Sequence, residues 1–327
     1  MFETKINLQL FAELNTNTTA SSGLSVENKE YYDKNLIREA QPNLIHDQFG
    51  QERDIPKGNG KKVEFRKFAS LPKAMTPLTE GVTPDGKSLN VTAIEAEVSQ
   101  YGDYVTLSDM LDLTAIDPVV LETVKVVGNQ AGLTLDTITR NVLQSGTNVY
   151  YCPKADGSEV TSRDDLDDTC LLTVDVVKSV AAILKGVNAP KIDGSYVAIV
   201  HPYVAKDIMS DPLWIDAYKY TNPENIYEGE IGKIAGVRFV ETSEAMIYPN
   251  GVFGCLFLGA NAYGETKIEG GGLQTIIKQL GSAGTGDPLN QRSTVGWKAT
   301  KTAEILVDPY MCRVECKSSM SDKALEN

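Results

Sequence analysis

Two stretches of apolar–polar alternation predict a long β-hairpin over residues 55–107. Residues 63–66 (VEFR) alternate, and residues 94–99 (IEAEVS) do so again, which is typical of half-buried strands. Between them, residues 71–89 hold three prolines and two glycines, which favour turns. A two-stranded hairpin is marginally stable alone in water and exposes its edges. We therefore expect it to fold back on its own body or to lie on another molecule.

The clearest predicted element is a helix over residues 117–144. Asp117 is a good N-cap residue and Pro118 suits the first helical position. Gly128 and Gly132 inside it cost about 1 kcal/mol each relative to Ala, which indicates close packing there. At 1.5 Å per residue the helix is roughly 40 Å long. Apolar residues recur along it every three or four positions and form one stripe: Val120, Val124, Val127, Ala131, Leu135, Ile138 and Val142.

A second helix and a buried strand follow. Thr173 suits the N-cap of this helix, and residues 196–200 (YVAIV) are typical of a buried strand. Strands alternate with turns from 237 to 258 and from 273 to 314. Helices and strands mix without regular βαβ alternation, which predicts the α+β class. The apolar side of the second helix consists of Val176, Val177, Val180, Ile183, Leu184 and Val187.

The chain is acidic, with a formal net charge of -13 over 327 residues. Phosphate recognition needs clustered Lys and Arg, so this charge argues against a protein that reads DNA. No apolar run approaches the roughly 20 residues of a membrane helix, and the N-terminus lacks a signal-peptide pattern. The cysteines are five, an odd number, which favours reduced thiols in a cytoplasm. Cys312 and Cys316 are predicted to be core residues on one face of a strand.

An apolar decamer lies near the N-terminus, at residues 5–14 (KINLQLFAEL). Asn, Thr, Ser, Ala and Gly dominate the following residues up to 25, and such a spacer separates the decamer from the core. We therefore expect the decamer to contact another molecule. The residues predicted to be buried in that inter-subunit contact are Leu8, Leu10 and Phe11.

Candidate catalytic chemistry is sparse. The two histidines are His46 and His201, and His201 precedes Pro202 at a predicted corner, where a structural turn role fits. Residues 281–286 (GSAGTG) lack the spacing of a phosphate-binding loop. Residues 164–168 (DDLDD) lack the Gly and the terminal Glu of an EF-hand loop, so a solvated acidic loop fits better. The sequence thus predicts no catalytic residue, no cofactor and no metal site, and we do not expect an enzyme.

Five stretches carry a family resemblance that spans residues 7–300 in order. They are NLQLFAE from 7, VHPYVAKDIMSD from 200, WIDAYKY from 214, EIGKIAGVRFV from 230 and GSAGTGDPLNQRSTVGWKAT from 281. Together they resemble the major capsid proteins of tailed bacteriophages, in particular the family typified by the coat protein of coliphage N-four. Those proteins share the Hong Kong ninety-seven type fold.

The resemblance implies a structural protein that self-assembles into hexamers and pentamers of an icosahedral shell around double-stranded DNA. It implies a virion protein, assembled in the host cytoplasm without membrane contact. The stretch before the hairpin is short, so we expect a separate scaffolding protein, and a portal, as partners. The implied domains are the N-terminal arm 1–54, the extended loop 55–107, the peripheral domain 108–164 with 271–327, and the axial domain 165–270.

Two alternatives stay open at this stage. An encapsulin-type shell that carries cargo enzymes would share the fold, but its family lacks the NLQLFAE opening. A soluble α+β enzyme would need a site built from the residues discounted above. A jelly-roll coat is discouraged by the long predicted helix, because that fold is nearly all strand.

Overall fold

The fold is taken from a computed structural model of the chain. The residues that the structure describes are 36, 40, 44–58, 60–68, 71–78, 80–83, 85–114, 119–221, 232–266, 271–282, 286–323 and 327. The predicted arm residues Leu8, Leu10 and Phe11 lie outside them, as do the predicted helix-cap residues Asp117 and Pro118.

Helices and strands alternate irregularly along the described residues. The helices are α1 (Asp109–Thr114), α2 (Val119–Leu143), α3 (Val174–Gly186), α4 (Pro202–Met209) and α5 (Pro212–Thr221). The first strands are β1 (Gln51–Glu52), β2 (Lys62–Phe68), β3 (Val91–Glu97), β4 (Ser99–Ser108), β5 (Val149–Tyr151), β6 (Tyr196–Val200) and β7 (Lys233–Ile234). The others are β8 (Val237–Glu241), β9 (Met246–Tyr248), β10 (Val252–Leu258), β11 (Tyr263–Thr266), β12 (Gln274–Lys278), β13 (Arg292–Ile305) and β14 (Met311–Cys316).

The long helix α2 packs on a five-stranded sheet of order β1-β11-β13-β12, with β4 also paired to β13. The first part of the predicted apolar stripe is buried there against Val295, Trp297 and Ala299. Farther along, Ile138 and Val142 are only partly buried, which differs from the prediction. The buried positions in this second half include polar ones: Leu135, Asp136, Thr139, Arg140 and Leu143. Hydrogen-bond partners from other elements make that polar burial possible.

The predicted hairpin is confirmed for β2 and β3, which pair antiparallel from Lys62↔Glu97 to Phe68↔Val91. The prediction was wrong to include the following strand. Over its ten residues β4 pairs with β13 instead. The reason is burial, because β4 places Leu107 in the core under α2. Alternation reports a half-buried strand but does not identify its partner.

A seven-stranded sheet has the order β5-β14-β10-β6-β8-β7, with β9 on β10. Every residue of β6 and β10 is buried, which confirms the predicted strand 196–200. Thr173 caps α3, since its side chain accepts a hydrogen bond from the Val176 amide. Two predicted core residues of this helix are wrong: Ile183 and Val187 are exposed. A narrower face of α3 is enough to cover the sheet.

The end of α2 joins the two sheets. Gln144 Nε2 donates to the Gly254 carbonyl at 2.8 Å, and Tyr248 Oη donates to Gln144 Oε1 at 3.0 Å. Arg140 Nη1 donates to the Glu244 carbonyl at 2.9 Å. Burial lowers the pKa of Arg140, and the nearby Glu244 opposes that effect. These bonds fix α2 against β9 and β10 through atoms distant in sequence.

Candidate assembly surfaces

The connection between β2 and β3 carries exposed large apolar side chains. We call its described residues between 71 and 91 the hairpin tract. Its apolar side chains are between 44% and 81% exposed: Leu71, Met75, Leu78, Val82, Leu89 and Val91. The strands β2 and β3 pair only with each other among the described strands. A contiguous apolar surface of this kind marks a contact with another molecule.

The opposite end of the hairpin is anchored to the body. Ile55, Val63, Phe65, Ala96 and Val98 form a small buried cluster at this root. The hairpin therefore has a packed root and an uncovered apolar tract, which is the arrangement of an element that reaches outward.

A second surface is a groove of about 520 Å³ on the sheet formed by β4, β13 and β12. Val295 and Trp297 point into the core under α2, so Gly296 between them faces away from the helix. A Cβ atom on Gly296 would lie 2.7 Å from the Cβ of Tyr104. Glycine therefore keeps the groove open between Tyr104 and Ile276, which are both exposed.

A third surface lies at one end of this sheet. The amide of Asp109, at the start of α1, donates to the Gln291 carbonyl at 3.0 Å and holds α1 beside the chain that enters β13. The exposed apolar residues of these two segments include Met110, Leu113 and Leu289.

A buried polar joint holds residues 44–47 against α2. The amides of Ile45 and His46 donate to Asp136 Oδ1 at 2.8 and 2.7 Å. His46 Nδ1 lies 2.6 Å from Asp136 Oδ2, and both side chains are almost fully buried. Tyr263 Oη donates to the His46 carbonyl. His46, which the sequence left without a role, is thus a structural residue at the root of the hairpin.

Two carboxylates share one lysine beside this joint. Lys301 Nζ bonds Asp47 Oδ2 and lies 3.4 Å from Glu265 Oε2. Thr139 Oγ1 donates to Asp47 Oδ1 at 2.7 Å. Burial, followed by the charge of Asp47, raises the pKa of Glu265 to about 7, although Lys301 opposes both effects. A further buried carboxylate, Glu315, receives two hydrogen bonds from Arg163 at 2.6 and 2.7 Å.

The residues considered for catalysis or metal binding have structural roles. His201 is the N-cap of α4, where its Nδ1 accepts from the Tyr203 amide at 3.1 Å. Burial lowers the pKa of His201. Asp167 accepts hydrogen bonds from the hydroxyl and the amide of Thr169, which hold its pKa well below the usual range. The described residues contain no group of three or more His, Cys, Asp or Glu side chains that could hold a metal ion.

Other predictions about chemistry divide. Residues 283–285 of the glycine-containing loop lie outside the described residues. Cys312 and Cys316 are buried on β14, as predicted. All five cysteines are free and buried. In the part of the chain that the structure describes, no helix combines the length and apolarity that crossing a membrane requires.

The sequence pointed to the decamer as the exposed apolar segment and missed the hairpin tract. A signal was present, because large apolar residues recur inside a segment rich in Pro and Gly that has no strand or helix period. Such residues cannot reach a core of their own.

The comparison with protein families decides what these surfaces belong to. A family model described as "Phage capsid protein" matches residues 91–312, which is more than half of the chain. The chain belongs to the phage capsid protein family. The comparison with curated protein sequences finds no significant match.

Solved capsid structures share the fold of this capsid protein. The capsid of cyanophage P-SCSP1u matches with a TM-score of 0.67 and 14% identity, over 84% of this chain and 89% of that chain. The capsid of cyanophage Pam1 matches with 0.66 and 12%, over 85% and 92%. The capsid of Ralstonia phage GP4 matches with 0.63 and 15%, over 83% and 87%. The predicted α+β fold of the Hong Kong ninety-seven type is confirmed.

The protein is therefore a structural subunit of a phage capsid shell. A shell subunit works through its surfaces, and the hairpin tract, the sheet groove and the apolar end of the sheet are its candidate contact sites.

Proposed function

We propose that this capsid protein assembles into hexamers and pentamers that form an icosahedral shell around double-stranded DNA. The observation that carries the proposal is the hairpin tract, whose large apolar side chains lack a core to join. Many identical contacts around a closed lattice hold a shell together through multivalency, even where each one is weak. An acidic protein, with a net charge of -13, does not adhere to packaged DNA.

We assign the elements to the roles that the family resemblance implies. Residues 1–54 are the arm, the hairpin is the extended loop that overlaps a neighbour, and α2 is the spine of the peripheral domain 108–164 with 271–327. Residues 165–270 are the axial domain. The separate sheets under α2 and around β10 support two domains. Strand pairing crosses these boundaries, since β5 and β14 pair toward β10 and β11 pairs with β13.

We infer a separate scaffolding protein and a portal as partners, assembly in the host cytoplasm, and no catalytic role or cofactor. An encapsulin-type compartment is the alternative with the same fold, and a soluble enzyme is the alternative without it. The family match favours a phage shell over both.

The first experiment asks whether the hairpin tract makes the contact. Replacing Leu71, Met75 and Leu78 with Ser should abolish or strongly reduce the shells, tubes or rings seen by negative-stain electron microscopy. Because these side chains are at least half exposed, the circular dichroism spectrum of the unassembled chain should stay the same. The matched control replaces Thr83, Ser88 and Asn90 of the same tract with Ala and should assemble normally. Unchanged assembly of the Ser variant would refute the proposed contact.

The second experiment addresses the N-terminal decamer. We propose that Leu8, Leu10 and Phe11 are buried against a neighbouring subunit. Replacing all three with Ser should lower the yield of assembled particles in light scattering, and leave the spectrum of the unassembled chain unchanged. Normal shells from this variant would remove the decamer from the contact. A chain that stays monomeric even with its scaffolding protein would contradict the shell proposal as a whole.

A further inference from the structure

We propose that Asp47, Glu265 and Lys301 form a pH-dependent contact that holds the root of the hairpin to the body. We call these residues the root cluster. The contact is strong when Glu265 is protonated and weakens when it is ionised.

The root cluster holds more negative than positive charge in a buried place. Lys301 of β13 bonds Asp47 and lies 3.4 Å from Glu265 of β11, and the three side chains are 10%, 14% and 17% exposed, in the order Lys301, Asp47, Glu265. A single ammonium group therefore serves two carboxylates. A second ionised carboxylate is unfavourable there, because burial weakens its solvation.

The position of Glu265 links this charge to the hairpin. Glu265 is the register partner of Glu52 in the parallel pair of β11 and β1. The amide of Arg53 then donates to the Glu265 carbonyl at 3.0 Å. The chain passes from β1 through the buried Ile55 into β2, so β1 is the last attachment before the hairpin. Two ionised glutamates side by side on neighbouring strands repel each other.

The other charged and titratable groups around Glu265 come from each packed element. From residues 44–50 come Asp47 and His46, and His46 is paired with Asp136 of α2. From β11 itself comes Tyr263, whose hydroxyl donates to the His46 carbonyl. Lys301 is the ammonium among them. A cavity of about 310 Å³ borders Asp47, Glu52, Glu265 and Lys301, so that protons from solvent reach the cluster.

The direction of the pH effect follows from proton linkage. Burial and Asp47 raise the pKa of Glu265 from 4.5 to about 7 in the closed contact. A glutamate released to solvent returns to its ordinary pKa, so the closed contact binds the proton more tightly than the open one. The closed contact is therefore most stable at acidic pH, and it is weakened progressively as pH rises through about 7.

Hydrogen exchange of the unassembled full chain tests this inference without depending on shell formation. Amide protection of residues 44–58 is measured at about pH 5.5 and about pH 8 and corrected for the intrinsic pH dependence of exchange. Protection in the wild type should fall on the order of tenfold at the higher pH. Glu265→Gln, which imitates the protonated side chain, should keep high protection at both pH values.

Glu304→Gln is the matched control. Glu304 lies on β13 next to Ala303, the register partner of Glu265, and points to the other face of the sheet. This variant should retain the tenfold fall, and protection in β6 should not change in any variant. Equal protection of residues 44–58 at both pH values in the wild type would overturn the inference. So would a pH-dependent fall in Glu265→Gln equal to that of the wild type. The wild-type comparison decides the question even where a variant fails to fold.

Discussion

Single buried polar residues hold distant parts of this capsid protein together. Asp136 shows this most clearly, because its two oxygens receive the amides of Ile45 and His46 and contact the His46 ring. These partners lie about ninety positions away in the sequence, at separations of 90 and 91. A buried acceptor with several donors cannot be removed without leaving the donors unsatisfied.

Replacing Asp136 with Ala should lower the free energy of unfolding by about 3 kcal/mol, because two amides and a histidine lose their buried partner. Urea unfolding followed by circular dichroism measures the change. The control is Glu122→Ala on the same helix, whose exposed ion pair with Lys125 should contribute less than about 0.5 kcal/mol. Similar losses in the two variants would contradict the role of Asp136.

Glycine positions should respond to Ala according to the space around them. At Gly132 of α2 a Cβ atom would lie 2.5 Å from the Ala40 carbonyl oxygen, so Gly132→Ala should destabilise by about 1–3 kcal/mol despite its better helix propensity. At Gly186 of α3 nothing lies within 4 Å, and Gly186→Ala should stabilise by up to about 1 kcal/mol. Thermal unfolding midpoints should move in opposite directions. A gain in stability from Gly132→Ala would show that the helix and residue 40 separate easily.

At the scale of elements, the strands β10 and β14 form the centre of the seven-stranded sheet and carry three of the five cysteines. Cys255 Sγ and Cys316 Sγ lie 4.0 Å apart across this pair. The hydrogen bond with Cys316, together with burial, raises the pKa of Cys255 well above its ordinary value. Burial raises the pKa of Cys312 to about 12. These thiols are therefore held as neutral core side chains.

The native unassembled chain should react very slowly with a thiol-specific reagent such as DTNB near neutral pH. The thiolate is the reactive form, and both burial and the raised pKa values suppress it. All five thiols should react once guanidinium chloride unfolds the chain. Ser88→Cys in the exposed hairpin tract provides the positive control and should add one fast-reacting thiol. Fast reaction of the wild type would mean that the sheet opens readily.

At the scale of the whole molecule, a strong negative charge opposes association while exposed apolar surface favours it. A net charge of -13 produces repulsion between copies that salt screens over roughly 10 Å at 0.1 M. The balance between these two terms sets the conditions for assembly.

Raising NaCl from roughly 50 mM to roughly 300 mM should speed assembly of the purified chain, because screening reduces the repulsion between acidic copies. Light scattering over time measures the rate, and the Leu71, Met75 and Leu78 variant serves as the control that should not assemble at either salt level. Slower assembly at high salt would indicate that ion pairs between subunits dominate the contact.

The sequence by itself determined the elements with strong local periodicity. The stripe of α2, the N-cap Thr173 and the buried strand 196–200 each follow from the spacing of neighbouring residues, which repeats with the helix or strand period. The family resemblance in five stretches likewise determined the fold and the shell role, because a capsid subunit has no single catalytic cluster to recognise.

Only the tertiary structure decided what the elements contact. It paired β4 with β13 rather than with the hairpin, and it buried Asp136 beside His46. It also joined Lys301 to Asp47 across 254 positions. It left the hairpin tract uncovered, which Pro and Gly content alone could not reveal. The physical reason is that burial and hydrogen bonding depend on atoms brought together from distant parts of the chain, whereas sequence patterns report only local periodicity.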